Sequence, residues 1–518
     1  MVVRLSLFVI VLGLCGCDAA TLIVPDATPA RDAATDAPVL VDASRLLDAP
    51  TSPDASTDNN HDTNYDCTNS CVTRACAPSC GRDAGLCPIT HVPDLADHMP
   101  AHLAVMYSMS WFGLPRTSDP NGTGSDPGYG NWRWGGGCMA VNDPRTCASY
   151  SGSAQRQIAS RHRPLAGIYS SSGRDDESRR RVDLMLSTLR RPCDDGARLD
   201  AWSVQIDSIR FSSAHLAEGD AGFSASADFA YRALLTFFDR ADAAGMSSVV
   251  MVGDDSTWYW HFGGITTQAG RLGALEGDLV EAAAIADTHP SALRIDDRLV
   301  LYVYTGGDAS GPYISASEWS ALLTNVRNRT GLDVYVIGGT TSPAYFTAFD
   351  GIAPWIETGA WDATSGATET DHAHTWTHRR HDALLAALPM HPGRVVWGGI
   401  AAGFDDYTRD WGACDGERVI PRTDAVLDSQ FDVLNGTGVR GMLVATWDDW
   451  TEGSFFEPEV AEGAGRLVRL RRDLGSFFGD PVDTAGDQRL SDRFAHYGQA
   501  RDCSGGSPTL SSVDLACP

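Results

Sequence analysis

The chain contains no lysine. Its forty basic residues are all arginine and face 67 Asp and Glu, for a formal net charge of −27. We take the missing lysine as compositional. The missing positive charge does have a consequence, because binding nucleic acid needs a cationic face to neutralise phosphates; nucleic acid is excluded as a partner. No apolar run approaches the roughly 20 residues that a spanning helix needs. There is no phosphate loop, no Gly-x-Ser-x-Gly elbow and no dinucleotide fingerprint set between a strand and the helix after it, so no cofactor is expected.

The first apolar run, Leu5 to Leu14, follows a single Arg and precedes small residues, which reads as a secretory signal over 1–16. Its end, Leu14-Cys15-Gly16-Cys17, resembles a bacterial lipobox, with Cys17 as the lipidated first mature residue. That predicts an exported, envelope-anchored protein at the outer membrane or cell surface, attached through lipid alone. Residues 17–66 follow. From Asp18 to Asp66 this stretch has ten Asp, two Arg and almost no aromatic, and so little to bury; we expect a disordered tether. Five of the thirteen Cys then crowd between Cys67 and Cys87 without a Cys-x-x-Cys pair. In an exported chain this favours disulfides over zinc. A distant partner such as Cys193 or Cys414 would complete the set within the 67–90 segment, and Cys503 with Cys517 would staple a tail over 481–518.

Residues 91–480 have the composition of one large globular domain. Eight β-rich runs are expected as strands: 103–111, 202–209, 247–254, 299–305, 333–339, 351–356, 394–404 and 439–447. Helical patterns lie between them: one ends at Gly245, one opens on an N-cap Ser, and one closes at Gly436. Near-continuous apolar strands alternating with helices predict a (β/α)8 TIM barrel, an α/β fold with a parallel sheet. A ninth run, Pro164–Ser172, is assigned to the long first connection.

In such a barrel, chemistry gathers at the C-terminal ends of the strands. The residues there are Tyr107 and Trp111, Asp207, Asp254 and Asp255, Tyr304, Trp355, Asp405 and Asp406, and finally Trp447, Asp448, Asp449, Trp450 and Glu452. The Asp pairs alone are weak evidence for calcium. His374, His378 and His381 share a helical spacing but have no carboxylate ligand among them. They are read as part of a solvated sixth helix, and no metal is expected.

Paired carboxylates between flat aromatics suit glycoside hydrolysis. One carboxyl protonates the leaving oxygen, the other activates a nucleophile, and aromatic faces stack on sugars. The stretch "TWDDWTEGSFFEPE" resembles the last-strand motif of glycoside hydrolase families 71 and 99, Trp-Asn-(Asp or Glu)-x-x-Glu. These are endo-α-1,3-glucanases and endo-α-mannosidases. "VMYSMSWFG", "NWRW", "PLAGIYSSSGRDD", "HPSALRIDDRLVLYVY" and "AAGFDDYTRDW" resemble family 99 segments, so the similarity is scattered from Leu103 to Glu459. It implies that Asp449 and Glu452 are the catalytic acids. Asp448 departs from the motif's Asn, and Asp449 follows family 71 where family 99 has Glu.

The expected protein is therefore a monomeric, surface-anchored glycoside hydrolase that cleaves α-1,3-glucan or α-mannan internally. The remaining strand-end residues, Asp448 apart, would contact the polysaccharide substrate. The alternative is a carbohydrate-binding surface lipoprotein on the same scaffold without activity, which would keep the aromatics but would not need both acids.

Overall fold

The apolar runs pair side by side into a ring. The computed structural model describes residues 103–109, 162, 164–165, 176–189, 197, 199–206, 224–254, 267–305, 314–358, 361, 368–406, 419–439, 441–459 and 461–498. All of them belong to the second of two units, residues 63–518.

Strands β1 (Leu103–Ser108), β2 (Ala201–Ile206) and β3 (Ser247–Asp254) alternate with helices α1 (Asp176–Leu189), α2 (Ser224–Ala244) and α3 (Gln268–Asp287). A short strand β4 (Arg294–Ile295) turns back on β5 (Arg298–Thr305) through Asp296 and Asp297, both at positive φ as a two-residue hairpin requires. Then come α4 (Ala316–Thr330), β6 (Val334–Gly339), β7 (Gly351–Ile352), α5 (Glu369–Ala387), β8 (Val395–Ala401), α6 (Asp424–Leu434), β9 (Gly441–Ala445), α7 (Gly465–Phe478) and α8 (Thr484–Gly498).

Apart from β4, every pairing is parallel. β3 bonds to β5 and β9 returns to β1, so eight strands close into a (β/α)8 barrel. The antiparallel β4 is an appendage to β5.

Alternation along each strand divides the core in two. Leu103, Val105 and Tyr107 of β1 pack inside the ring with Val249, Met251, Val300, Tyr302, Tyr335, Ile337, Trp397 and Leu443. Ala104, Met106, Val250, Leu301, Val336 and Val444 face outward to the helices, against residues such as Phe237, Leu279, Trp319 and Leu474. Both faces are apolar, which explains the near-continuous runs.

The expected strand 351–356 shrinks to two residues, because Pro354 has no N–H to donate to a ladder. Backbone crowding also plays a part: a Cβ on Gly399 of β8 would lie 2.1 Å from the Pro354 carbonyl oxygen. Among the described residues the other strands keep their expected places: β3 spans its expected range, β2 and β5 each start one residue earlier, and β6, β8 and β9 are shorter than expected by one to four residues. Pro164 makes an isolated bridge to Glu459, and the Leu165 N–H donates to the Pro458 carbonyl at 2.8 Å. Those two residues of the ninth run therefore dock on the segment after β9, outside the ring.

Helix α8 lies beyond residue 480, and Asp483 and Asp487, before and on it, receive the buried Arg471 guanidinium of α7, so 484–498 of the 481–518 tail is helical; Cys503 and Cys517 lie outside the described residues. One expectation needs correction. The His-rich helix is not solvated throughout. Ala373, Trp376, Thr377, Arg380, His381 and Leu384 form one buried face of α5 at i, i+3, i+4 spacing. His381 donates from Nδ1 to the Thr377 carbonyl (2.8 Å) and accepts the Gly399 N–H at Nε2 (3.1 Å). Burial, with the Arg380 charge adding to it, lowers its pKa to about 3, so the ring is neutral. Only His378 matches the expectation: it is exposed and pairs with Asp382.

Candidate active site

The chain leaves β9 at Ala445 and, nine residues on, returns to its own start. Thr446 donates both its N–H (2.7 Å) and its Oγ1 (2.8 Å) to the Ser454 carbonyl, closing the loop that carries Trp447, Asp448, Asp449, Trp450 and Glu452. The Ala445–Thr446 peptide is cis. Inside the loop, the Asp449 N–H donates to Thr446 Oγ1 at 2.8 Å. One Asp449 carboxylate oxygen accepts from Thr451 Oγ1 (3.0 Å) and from the Glu452 N–H (3.1 Å), the local bonding that Asp side chains favour in turns. Asp449 is fully buried, whereas Glu452 is partly exposed.

Glu452 is fixed through its main chain. Besides its N–H bond to Asp449, its carbonyl accepts the Asp405 N–H from beyond β8 at 2.6 Å. Gly453 follows at φ +65°, where a Cβ would press on Asp405 at 3.1–3.2 Å. Trp450 stacks on Phe455 with ring centroids 3.7 Å apart and donates its indole N–H to the Glu457 carboxylate at 2.9 Å. The Arg422 guanidinium covers the Phe455 ring at 3.8 Å and donates to the Gly453 (2.9 Å) and Phe455 (2.6 Å) carbonyls. Burial lowers the Arg422 pKa to about 10, which still leaves it charged near neutrality.

Asp448 points to the first strand. One carboxyl oxygen accepts from the Met109 N–H (2.7 Å) and from Ser108 Oγ (3.0 Å). Burial pushes its pKa well above the usual carboxyl range, and the Glu457 and Asp449 charges add to the rise; the bonds from Met109 and Ser108 pull the other way. A carboxyl that keeps its proton offers one acceptor and one donor, as the motif's Asn would.

A group of aromatic rings completes the barrel mouth. Trp355 meets Tyr107 edge-on at 4.7 Å and Tyr304 at 5.5 Å. Tyr107 is buried, while Tyr304 and Trp355 are partly exposed. The Tyr107 carbonyl accepts the Trp447 N–H at 2.6 Å, joining this group to the acidic loop. Arg380 of α5 steadies the Trp355 end by donating to its carbonyl (3.1 Å) and to the Gly399 carbonyl (2.7 Å).

Most of the expected site residues that can be placed thus form one connected region: Tyr107, Tyr304, Trp355, Asp405, Trp447, Asp449, Trp450 and Glu452. Trp447 and Trp450 are buried, so they wall the loop and do not offer an open face to a sugar. Asp406 is also buried, and Asp254 ends β3. Trp111, Asp207, Asp255, Cys17 and the Cys-rich segment lie outside the described residues. Among the described residues, no cluster of three or more His, Cys, Asp or Glu could hold a metal.

Sequence reasoning missed Arg422, Arg380, Ser108, Thr446 and Glu457. A lone Arg between a strand and a helix N-cap carries no pattern. Glu457 stood in the quoted motif and could have been found there as a further carboxyl.

No family profile matches the chain, and no curated protein matches it in sequence. Its fold is similar to that of solved structures at low identity. One is the GH99 endo-alpha-mannosidase from Bacteroides thetaiotaomicron (17% identity, TM-score 0.46, 74% of this chain and 99% of that one). Another is described as a glycoside hydrolase-like protein (11% identity, TM-score 0.45, 60% of this chain and 89% of that one). A third is the catalytic domain of the major endoglucanase from Xanthomonas campestris pv. campestris (12% identity, TM-score 0.33, 55% and 85%).

Proposed function

We propose that the protein is a glycoside hydrolase that cleaves α-linked polysaccharide internally, α-1,3-glucan or α-mannan, and is held at the cell envelope through lipid on Cys17. The observation that carries this reading is the loop itself. Asp449 and Glu452 share one short closed turn at the C-terminal end of a barrel strand, and Trp447 of that turn is joined through Tyr107 to the partly exposed Tyr304 and Trp355.

In this reading Glu452, the more accessible acid, protonates the departing glycosidic oxygen. Asp449 is the base, with its carboxylate oriented by Thr451 and the Glu452 N–H. It acts on a water if the enzyme inverts, or on the sugar's 2-hydroxyl if it retains configuration. Tyr304 and Trp355 stack on the sugar ring. No cofactor is required by this chemistry.

The complete burial of Asp449 and the use of one of its oxygens within the turn favour a second reading, in which the acids brace a binding surface that performs no chemistry. Product analysis by NMR on a panel of α-glucans and α-mannans separates the two. New reducing ends on one substrate support the hydrolase; tight binding without any product supports the alternative.

A further inference from the structure

We propose that Arg422 is a positioning residue that sets the direction of the Glu452 side chain. This rests on the hydrolase reading for its catalytic consequence, but not for its geometry. Arg422 lies in the connection between β8 and α6, just before the N-cap Thr423. Its two bonds fall on the carbonyls of Gly453 and Phe455, the first and third residues after Glu452. Its flat face covers Phe455, which in turn stacks on Trp450. Both bonds leave one nitrogen, Nη1, while the guanidinium plane lies on the Phe455 ring; an ammonium could donate to the carbonyls but has no flat face to lay on the ring.

The surroundings are shaped to admit this side chain. Gly403, at φ +144°, sits beneath its stem; a Cβ there would lie 2.5 Å from Arg422 Cγ. Arg466 of α7 donates to the Arg422 carbonyl at 2.6 Å, so the backbone that launches the side chain is also tied down. Asp405 holds the Glu452 carbonyl from one side and Arg422 holds the next carbonyl from another. With Asp449 on its N–H, the main chain of Glu452 is held both before and after its Cα.

The test uses the full chain with Arg422→Lys and Arg422→Met, read by amide hydrogen exchange and by steady-state kinetics. Exchange at residues 452–456 should rise about 10–100-fold, the scale of one hydrogen bond to a charged group, while β9 amides stay protected. The kcat on the polysaccharide should fall about 10–100-fold with KM changed less than about threefold, and Lys should retain more activity than Met. Gly403→Ala keeps the guanidinium but displaces its stem, and should show the same exchange signature. Normal exchange at 452–456 in any folded variant overturns the proposal. So does raised exchange with unchanged kcat, or a raised KM at full kcat, which would make Arg422 a substrate contact. A wild-type chain that cleaves no glycan would defeat the hydrolase reading instead, and the exchange result would still decide whether the clamp exists.

Discussion

Asp448, on the loop after β9, accepts the backbone N–H of Met109, at the end of β1, at 2.7 Å. The bond closes the barrel mouth between its first and last strands, and its acceptor is a carboxyl whose pKa burial pushes well above the usual range. Such a group opposes folding as pH rises. Below the unfolded carboxyl pKa of about 4, both states hold the proton and nothing is lost. Above it, the unfolded chain releases a proton that the folded chain retains, and stability falls by about 1.4 kcal/mol per pH unit until the folded pKa is passed. Asp448→Asn keeps the acceptor oxygen and removes the proton. The variant should match the wild type in melting temperature near pH 4 and exceed it increasingly as pH rises above that value, in calorimetric scans over a pH series. A constant difference at all pH values would show that Asp448 does not titrate in this way.

Glu452→Gln should lower turnover on polysaccharide by about 10²–10⁴, the usual cost of losing a general acid. On a glycosyl fluoride, whose leaving group needs no proton, the loss should be far smaller. Asp449→Asn should impair both substrates alike. Equal slowing of the fluoride by Glu452→Gln would remove the acid assignment, and full activity in both variants would place the chemistry elsewhere.

Gly399→Ala tests the crowding at the short strand. Its Cβ would meet the Pro354 carbonyl, which is backbone and cannot swing away. Overpacking of this kind costs about 1–3 kcal/mol. Urea denaturation should show that loss as a lower midpoint at an unchanged slope. Because Pro354 precedes Trp355, KM on the polysaccharide should rise as well.

Cys17→Ala should move the protein from the membrane fraction to the soluble one, since a single lipid site is the whole proposed attachment. Fractionation followed by immunoblotting reads this directly. Continued membrane association would rule out that anchor.

The barrel was legible in the sequence because parallel strands buried on both faces are written as solid apolar runs, such as "SSVVMVGD" and "LVLYVYT". Pro354 was the sign that the run 351–356 could not bond throughout, and reading all six residues as a strand passed over it. Asp449 and Glu452 stood out because acids after an apolar strand are conspicuous. Arg422 and Arg380 did not, since their partners are backbone carbonyls, which leave no trace in side-chain identity. His381 misled for the opposite reason. A helix crowded with polar residues reads as solvated until its 3.6-residue face is known to pack on β8.

The bonds between Thr446 and Ser454 turn nine residues into a self-contained ring. In a barrel where two acids sit on different strands, any breathing of the sheet alters the gap between them. Here both acids ride on the same ring. Small movements of the barrel would carry the pair toward or away from Tyr304 and Trp355 while leaving the spacing between the acids intact. Selection could therefore reshape the mouth for a new glycan without retuning the distance between proton donor and base.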